Sequence, residues 1–171
     1  VGSGGVLSHA PRRQQSARML IDAFMPEGIT QLAVDSIFMM PQLGVLANID
    51  KDELKEDASQ AALEVFDNDC LIRLGTCVTP VGNAKPNSKM ADLTLTFGDG
   101  SVKEIEINEG SLEMMEHPYE EVKVFIKPAR GIDVGAGKGE ELESVIYGGV
   151  VGLIFDGRNR PITLSKESEQ R

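Results

Sequence analysis

The chain has 171 residues, enough for one sizeable core or two small ones. Hydrophobic residues make up 41% and charged residues 26%, the composition of an ordinary globular protein. Acidic residues outnumber basic ones 27 to 17, and a net charge of -10 argues against non-specific binding to DNA or RNA, which demands a positive surface. It leaves room for a nucleotide, whose phosphates backbone N–H groups can hold.

The apolar runs are too short to span a membrane, and no secretory leader is visible. Cys70 and Cys77 do not make a disulfide framework, so a cytoplasmic setting is expected. The chain enters a glycine-rich turn at Val1 with no strand ahead of it, which suggests a piece of a longer protein. A helix follows. Ala17, Leu20, Ile21 and Phe24 fall on one face, with Ser8 as its N-cap and Pro11 in its first turn. It should stop before Pro26. Leu32 and Val34 alternate with polar residues in a short strand ending near Asp35. A helix through Met40, Leu43, Val45 and Leu46 comes next, with Pro41 in its first turn. Another follows Asp50, which forms a capping pair with Glu53, and buries Leu54, Ala58, Ala61, Ala62 and Val65.

From about residue 68 the pattern changes to period two. Leu93, Leu95 and Phe97, then Val102, Ile105 and Ile107, flank an Asp99-Gly100 turn and predict a hairpin, with a bulge near Lys103 where the spacing shifts. Val122, Val124 and Ile126 make a further strand, and residues 150–155 one buried on both faces. Residues 83–89 read as an exposed loop, Asp156-Gly157 as a turn toward Ile162 and Leu164, and residues 166–171 as a frayed tail. The expected division is 1–67 and 68–171, an α/β part and a β-rich part, the latter with a small barrel as one form.

Gly2, Ser3, Gly4 and Gly5 form the first candidate site. Glycines ahead of a helix let a ligand approach the backbone closely, although a plain strand-to-helix turn is the commoner reading of so short a motif. Residues 131–139 (GIDVGAGKG) resemble a P-loop only superficially. Ile132 stands where the first glycine belongs, and Gly139 replaces the magnesium-binding hydroxyl residue. Arg130, Asp133 and Lys138, with Arg158 in the turn 156–160, are candidates for a partner-facing edge; solvated connectors are the alternative. Asp35 is either a polar group at a cleft or a helix cap, the cap being favoured. His9 and His117 stand alone without metal spacing; His9, beside the glycine turn, is a candidate nucleotide contact with a solvated loop histidine as the favoured reading, and both cysteines read as packed thiols. No catalytic pair and no metal set stand out among the carboxylates.

Several stretches together carry a resemblance. They are GSGGVLSH at 2–9, MPQLGVLA at 40–47, GSLEMM at 110–115, KPARGIDVGAGKG at 127–139 and GGVVGLIFDGRNRPI at 148–162. In this order they resemble the C-terminal region of the methylaspartate (glutamate) mutase accessory proteins, of the actin-like ATPase superfamily, which includes Hsp70 and sugar kinases. The resemblance implies the end of an actin-like ATPase lobe at 1–67, and at 68–171 a β-rich extension whose job it does not give. It implies a chaperone-like reactivating factor for an adenosylcobalamin-dependent mutase. It implies ATP with Mg2+ as ligand of the full-length protein, with Gly2, Ser3, Gly4 and Gly5 on the adenosine side. The phosphate hairpins and magnesium-binding aspartates would lie upstream, so no ATP hydrolysis and no bound cofactor are expected of this chain alone. A β-domain interaction module without a nucleotide role is the alternative, and a sugar-kinase-like enzyme a third reading.

Overall fold

The computed structural model describes residues 1–48 and 55–162. The Asp50–Glu53 pair, Leu54, Leu164 and the tail at 166–171 lie outside the described residues. The chain runs α1 (Gly5–Ser8), α2 (Arg13–Phe24), β1 (Gly28–Asp35), α3 (Met40–Ala47), α4 (Lys55–Val65) and a π-helical turn (Phe66–Cys70). It continues through β2 (Leu71–Thr79), β3 (Val81–Gly82), β4 (Lys89–Phe97), β5 (Val102–Asn108), β6 (Leu112–Pro128), β7 (Ile132–Asp133) and β8 (Leu142–Asp156). No described helix is long and apolar enough to cross a membrane.

The expected first helix is broken in two. Ser8 does not cap it but ends the single turn α1, donating its hydroxyl back to Gly4 O. α2 begins at Arg13, where Arg12 N–H donates to Gln15 Oε1 and Gln15 N–H donates to Arg12 O. Ala17, Leu20 and Ile21 are buried as the spacing predicts, but Phe24, the last helical residue, is 72% exposed. The stop falls just before Pro26, with Met25 in the left-handed region. In α3 only Leu43 is buried, and Val45 is 74% exposed. In α4 Ala62 is buried while Ala61 and Leu63 are exposed, so both helices cover less core than their apolar content suggests.

Six strands form one mixed sheet in the order β1-β2-β8-β6-β4-β5. β2 and β8 run parallel, and the other neighbours are antiparallel. One face of β1, β2 and the end of β8 packs on α2: Leu32, Val34, Leu74, Cys77, Val151 and Ile154 meet Ala17, Leu20 and Ile21. The other face forms a second cluster to which β2, β4, β5, β6 and β8 all contribute, with Ile29 of β1 packed against it. For strands at opposite ends of the order to share one cluster, the sheet must curl. Gly157, just past β8, lies so close to Asn108 at the end of β5 that a Cβ on it would sit 2.0 Å from the Asn108 carbonyl oxygen. No β1–β5 ladder is present among the described residues, so the sheet is curled but not closed into a barrel.

The mixed α/β character of the sequence reading holds. The division at 67/68 does not separate two cores, because β1 pairs with β2 along its whole length and α2 packs across strands from both sides of it. The bulge expected near Lys103 is absent: Leu95 pairs with Lys103 and Thr96 with Val102 in unbroken register. The spacing change arises because Val102 points outward, 61% exposed, while Ile105 and Ile107 point in. The strand at Val122 begins ten residues earlier than that apolar run, at Leu112, and residues 151–155 are the buried end of the longer β8, whereas Val150 is 58% exposed.

Candidate functional site

The site is built where β1 ends. Gly2 bridges Val34 in parallel: its N–H donates to Ala33 O, and its carbonyl accepts from Asp35 N–H, each at 2.8 Å. Two parallel segments therefore end side by side, with the turn at residues 3–5 on one and Asp35 on the other. Ligands of open α/β sheets lie outside such carboxyl ends.

The four predicted residues divide. Gly2 is buried and both its backbone groups are spent on β1; a Cβ there would meet the Leu20 and Leu7 side chains at 2.5 and 2.7 Å. It is a packing glycine and is corrected out of the ligand-facing set. Gly4 has φ +121°, which L side chains rarely adopt, with nothing within 4 Å of its Cβ position. Gly5 is exposed, and its Cβ position is 4.0 Å from the tip of the Phe38 ring. Ser3 is exposed, and its hydroxyl donates to Asp35 Oδ2 at 3.3 Å.

Asp35 is fully buried, and its carboxylate accepts from Met39 N–H (3.3 Å) and Met40 N–H (3.1 Å) at the start of α3. It is thus the cap favoured from sequence, acting from outside the helix, and through Ser3 it also borders the glycine turn. Two residues that the motif reading did not bring together complete the site. Phe38 has φ +60° and stacks on His9, ring centroids 5.8 Å apart and planes at 22°. His9 is exposed, and its Nδ1 lies 3.2 Å from both Gly5 O and Ser8 Oγ. Nothing in the sequence spacing pairs positions 9 and 38; only the parallel bridge at Gly2 does.

The second candidate set is dispersed. Asp133 accepts from Gly135 N–H (2.7 Å) and Gly137 N–H (3.1 Å), and these bonds, Gly135 first, hold its carboxyl below the usual range. The 131–139 segment is therefore a self-capped turn, and Arg130 and Lys138 are exposed on it. Arg158 keeps 22% of its side chain exposed, but its guanidinium is engaged within the chain. Its Nε donates to Asp156 Oδ1 (2.9 Å), Nη2 to Oδ2 (3.1 Å) and Nη1 to Asp22 Oδ1 (2.9 Å). Arg160, 6% exposed, adds a bond to Asp156 Oδ2 (2.9 Å) and another to Pro26 O (3.2 Å). Arg158 is corrected to a tie between β8 and α2, because buried Asp156 needs its charge.

Both cysteines are buried, and burial pushes the Cys77 thiol up to about 11. His117 packs on Phe97, and its Nε2 is buried without a hydrogen-bond partner. A groove of about 530 Å³ lies beside Arg73, Tyr119 and Val150, where Tyr119 stacks on Tyr147 and Arg73 covers the Tyr119 ring.

A family model described as MutL protein matches residues 1–65. The matched stretch holds the glycine turn, β1 and the helices through α4 and stops ahead of the π-helical turn. No curated protein and no solved structure matches the chain.

Proposed function

We propose that this chain is part of an ATP-dependent, chaperone-like reactivation or assembly factor for an adenosylcobalamin-dependent mutase, glutamate mutase or an aminomutase, working in the cytoplasm. The observation that carries it is the junction of Gly4, Gly5 and Asp35 at the end of two parallel segments, within the stretch that the MutL family model matches. On this reading the turn faces the adenosine side of ATP. Gly4 and Gly5 fit that role, since neither puts a side chain between backbone and ligand. ATP supplies the phosphoryl chemistry when bound. The described residues contain no cluster of three His, Cys, Asp or Glu side chains to hold its Mg2+, so no step is assigned through the metal. What this chain's residues do is hold and orient: Asp35 fixes the α3 entry and Ser3, and Gly4 sets the turn. ATP should bind this chain no tighter than about millimolar, roughly 4 kcal/mol.

The test uses the protein containing this chain together with a glutamate mutase whose cobalamin has been damaged. Addition with ATP and Mg2+ should restore mutase activity. Equal activity with and without the protein would sink the reading. The alternative, an interaction module without a nucleotide role, is favoured by the exposed Tyr119–Arg73 groove. It predicts mutase association that is indifferent to ATP.

A further inference from the structure

We propose that Phe38 is the base-stacking residue of the glycine-turn site, and that His9 covers its stacking face when no base is bound. The proposal rests on the nucleotide reading above. A phenylalanine at φ +60° is a conformational outlier that persists only where its surroundings over-determine it. They do so from both sides. Upstream, Ser36 donates its N–H (2.9 Å) and its hydroxyl (2.8 Å) to Cys70 O. Downstream, Met39 and Met40 N–H donate to buried Asp35. The loop is pinned at each end, so the backbone that carries the Phe38 ring is held before any ligand arrives.

The ring lies toward the glycine turn. Its tip lies 4.0 Å from the Cβ position of Gly5, and beyond its chain neighbours the Cβ position of Gly4 has nothing within 4 Å, so neither glycine puts a side chain into the adjoining space. What does cover the ring is the His9 imidazole, a flat heteroaromatic in near-parallel offset contact. A nucleobase also lies near-parallel on an aromatic side chain, in a contact tolerant of base identity because every base has a π-face. His9 is exposed and follows a helix of one turn, so its ring can leave at the cost of weak contacts to Gly5 O and Ser8 Oγ. Binding a base then replaces one stack by a larger one, and the sugar and phosphates contribute nothing to this contact.

The chain contains no tryptophan, so Phe38→Trp creates a single fluorescent reporter. The probes are AMP and, as a ligand without a base, ribose 5-phosphate. Millimolar AMP should quench the Phe38→Trp emission saturably, and ribose 5-phosphate should not. In ligand-observed NMR, Phe38→Leu should weaken AMP binding about tenfold, with an unchanged unfolding transition, and His9→Ala should strengthen it. If AMP binds wild type and Phe38→Leu equally and leaves the emission of the Phe38→Trp variant unchanged, the stacking role is overturned while the nucleotide reading stands. If His9→Ala weakens AMP binding, His9 is a contact and not a cover. If AMP binds neither wild type nor His9→Ala, the stacking proposal is overturned, while the nucleotide reading, which expects no bound cofactor on this chain alone, is decided by the reactivation assay.

Discussion

Buried carboxylates decide two junctions of this molecule, and they do so by different means. Asp156 is charge-compensated: Arg158 and Arg160 both reach it, and through them β8 is tied to Asp22 and Pro26 at the end of α2. Asp35 has no cationic partner among the described residues and relies on N–H and O–H donors alone. Its worth lies in donors that would otherwise be orphaned at the start of α3. Asp35→Ala should therefore destabilise the chain by about 1–3 kcal/mol, with Asp35→Asn, which keeps one acceptor oxygen, costing less. Urea unfolding of the two variants checks this. Equal midpoints for Asp35→Ala and wild type would mean that water caps α3 as well as the carboxylate does. At this scale the sequence was legible where a residue acts on its neighbours, as Asp35 does on Met39 and Met40. It was not legible for Arg158. A glycine-rich segment with charges looks the same whether the charge faces solvent or is spent on Asp156 below it.

At the scale of elements, the strands with one polar face were readable, and so was the end of β8 as a continuous apolar run, while β2, buried on both faces, was not. β4 and β5 alternate cleanly because their outer face is polar, with Thr94 opposite Glu104 and Asp92 opposite Glu106. β2 carries apolar residues to both clusters, Leu74 and Cys77 to one and Val78 to the other, so period two is lost. Glycines within strands hide the rest. Gly75 and Gly152 are paired across the parallel β2–β8 contact, and a Cβ on Gly75 would lie 1.8 Å from Gly152 O. Gly152 itself has φ +101°, and its Cβ would lie 2.0 Å from Met115 O. Such close backbone approaches fit the register shifts between β8 and β6, which pair with each other along their length and each take a further partner, β2 or β4, at one end only. Gly152→Ala should cost at least about 1–3 kcal/mol, since backbone cannot yield as a side chain can. Gly98, with no atom within 4 Å of its Cβ position and no positive φ, is the control. Gly98→Ala should leave stability within about 1 kcal/mol of wild type. Thermal unfolding of the pair separates the two cases, and a mild Gly152→Ala would mean that the strands can part locally at this crossing.

The whole molecule turns on one sheet that ignores the compositional boundary. Asp67 and Asp69 stand in an exposed polar turn, which by sequence reads as a linker. β1 nevertheless crosses it to pair with β2, and non-local pairing of that kind leaves no periodic mark in either strand. Removing residues 1–66 would strip α2 and β1 from the sheet and uncover Leu74, Cys77, Val151 and Ile154 together. Each buried apolar side chain of this size contributes about 1.5–3 kcal/mol, and a domain's net stability is only about 5–15 kcal/mol. A chain beginning at Asp67 should accordingly lose its cooperative unfolding transition and bind a hydrophobic dye. The second cluster argues the other way, since Leu93, Leu95, Val124 and Ile126 gather without help from α2. The exposed face decides between them, because β2 would become an edge strand with an uncovered apolar side, the arrangement that folded sheets avoid. A sharp two-state transition in the truncated chain would show that the curled strands suffice. In that case α2 and β1 would be a layer added to a complete β unit, and residue 67 would be a domain boundary after all.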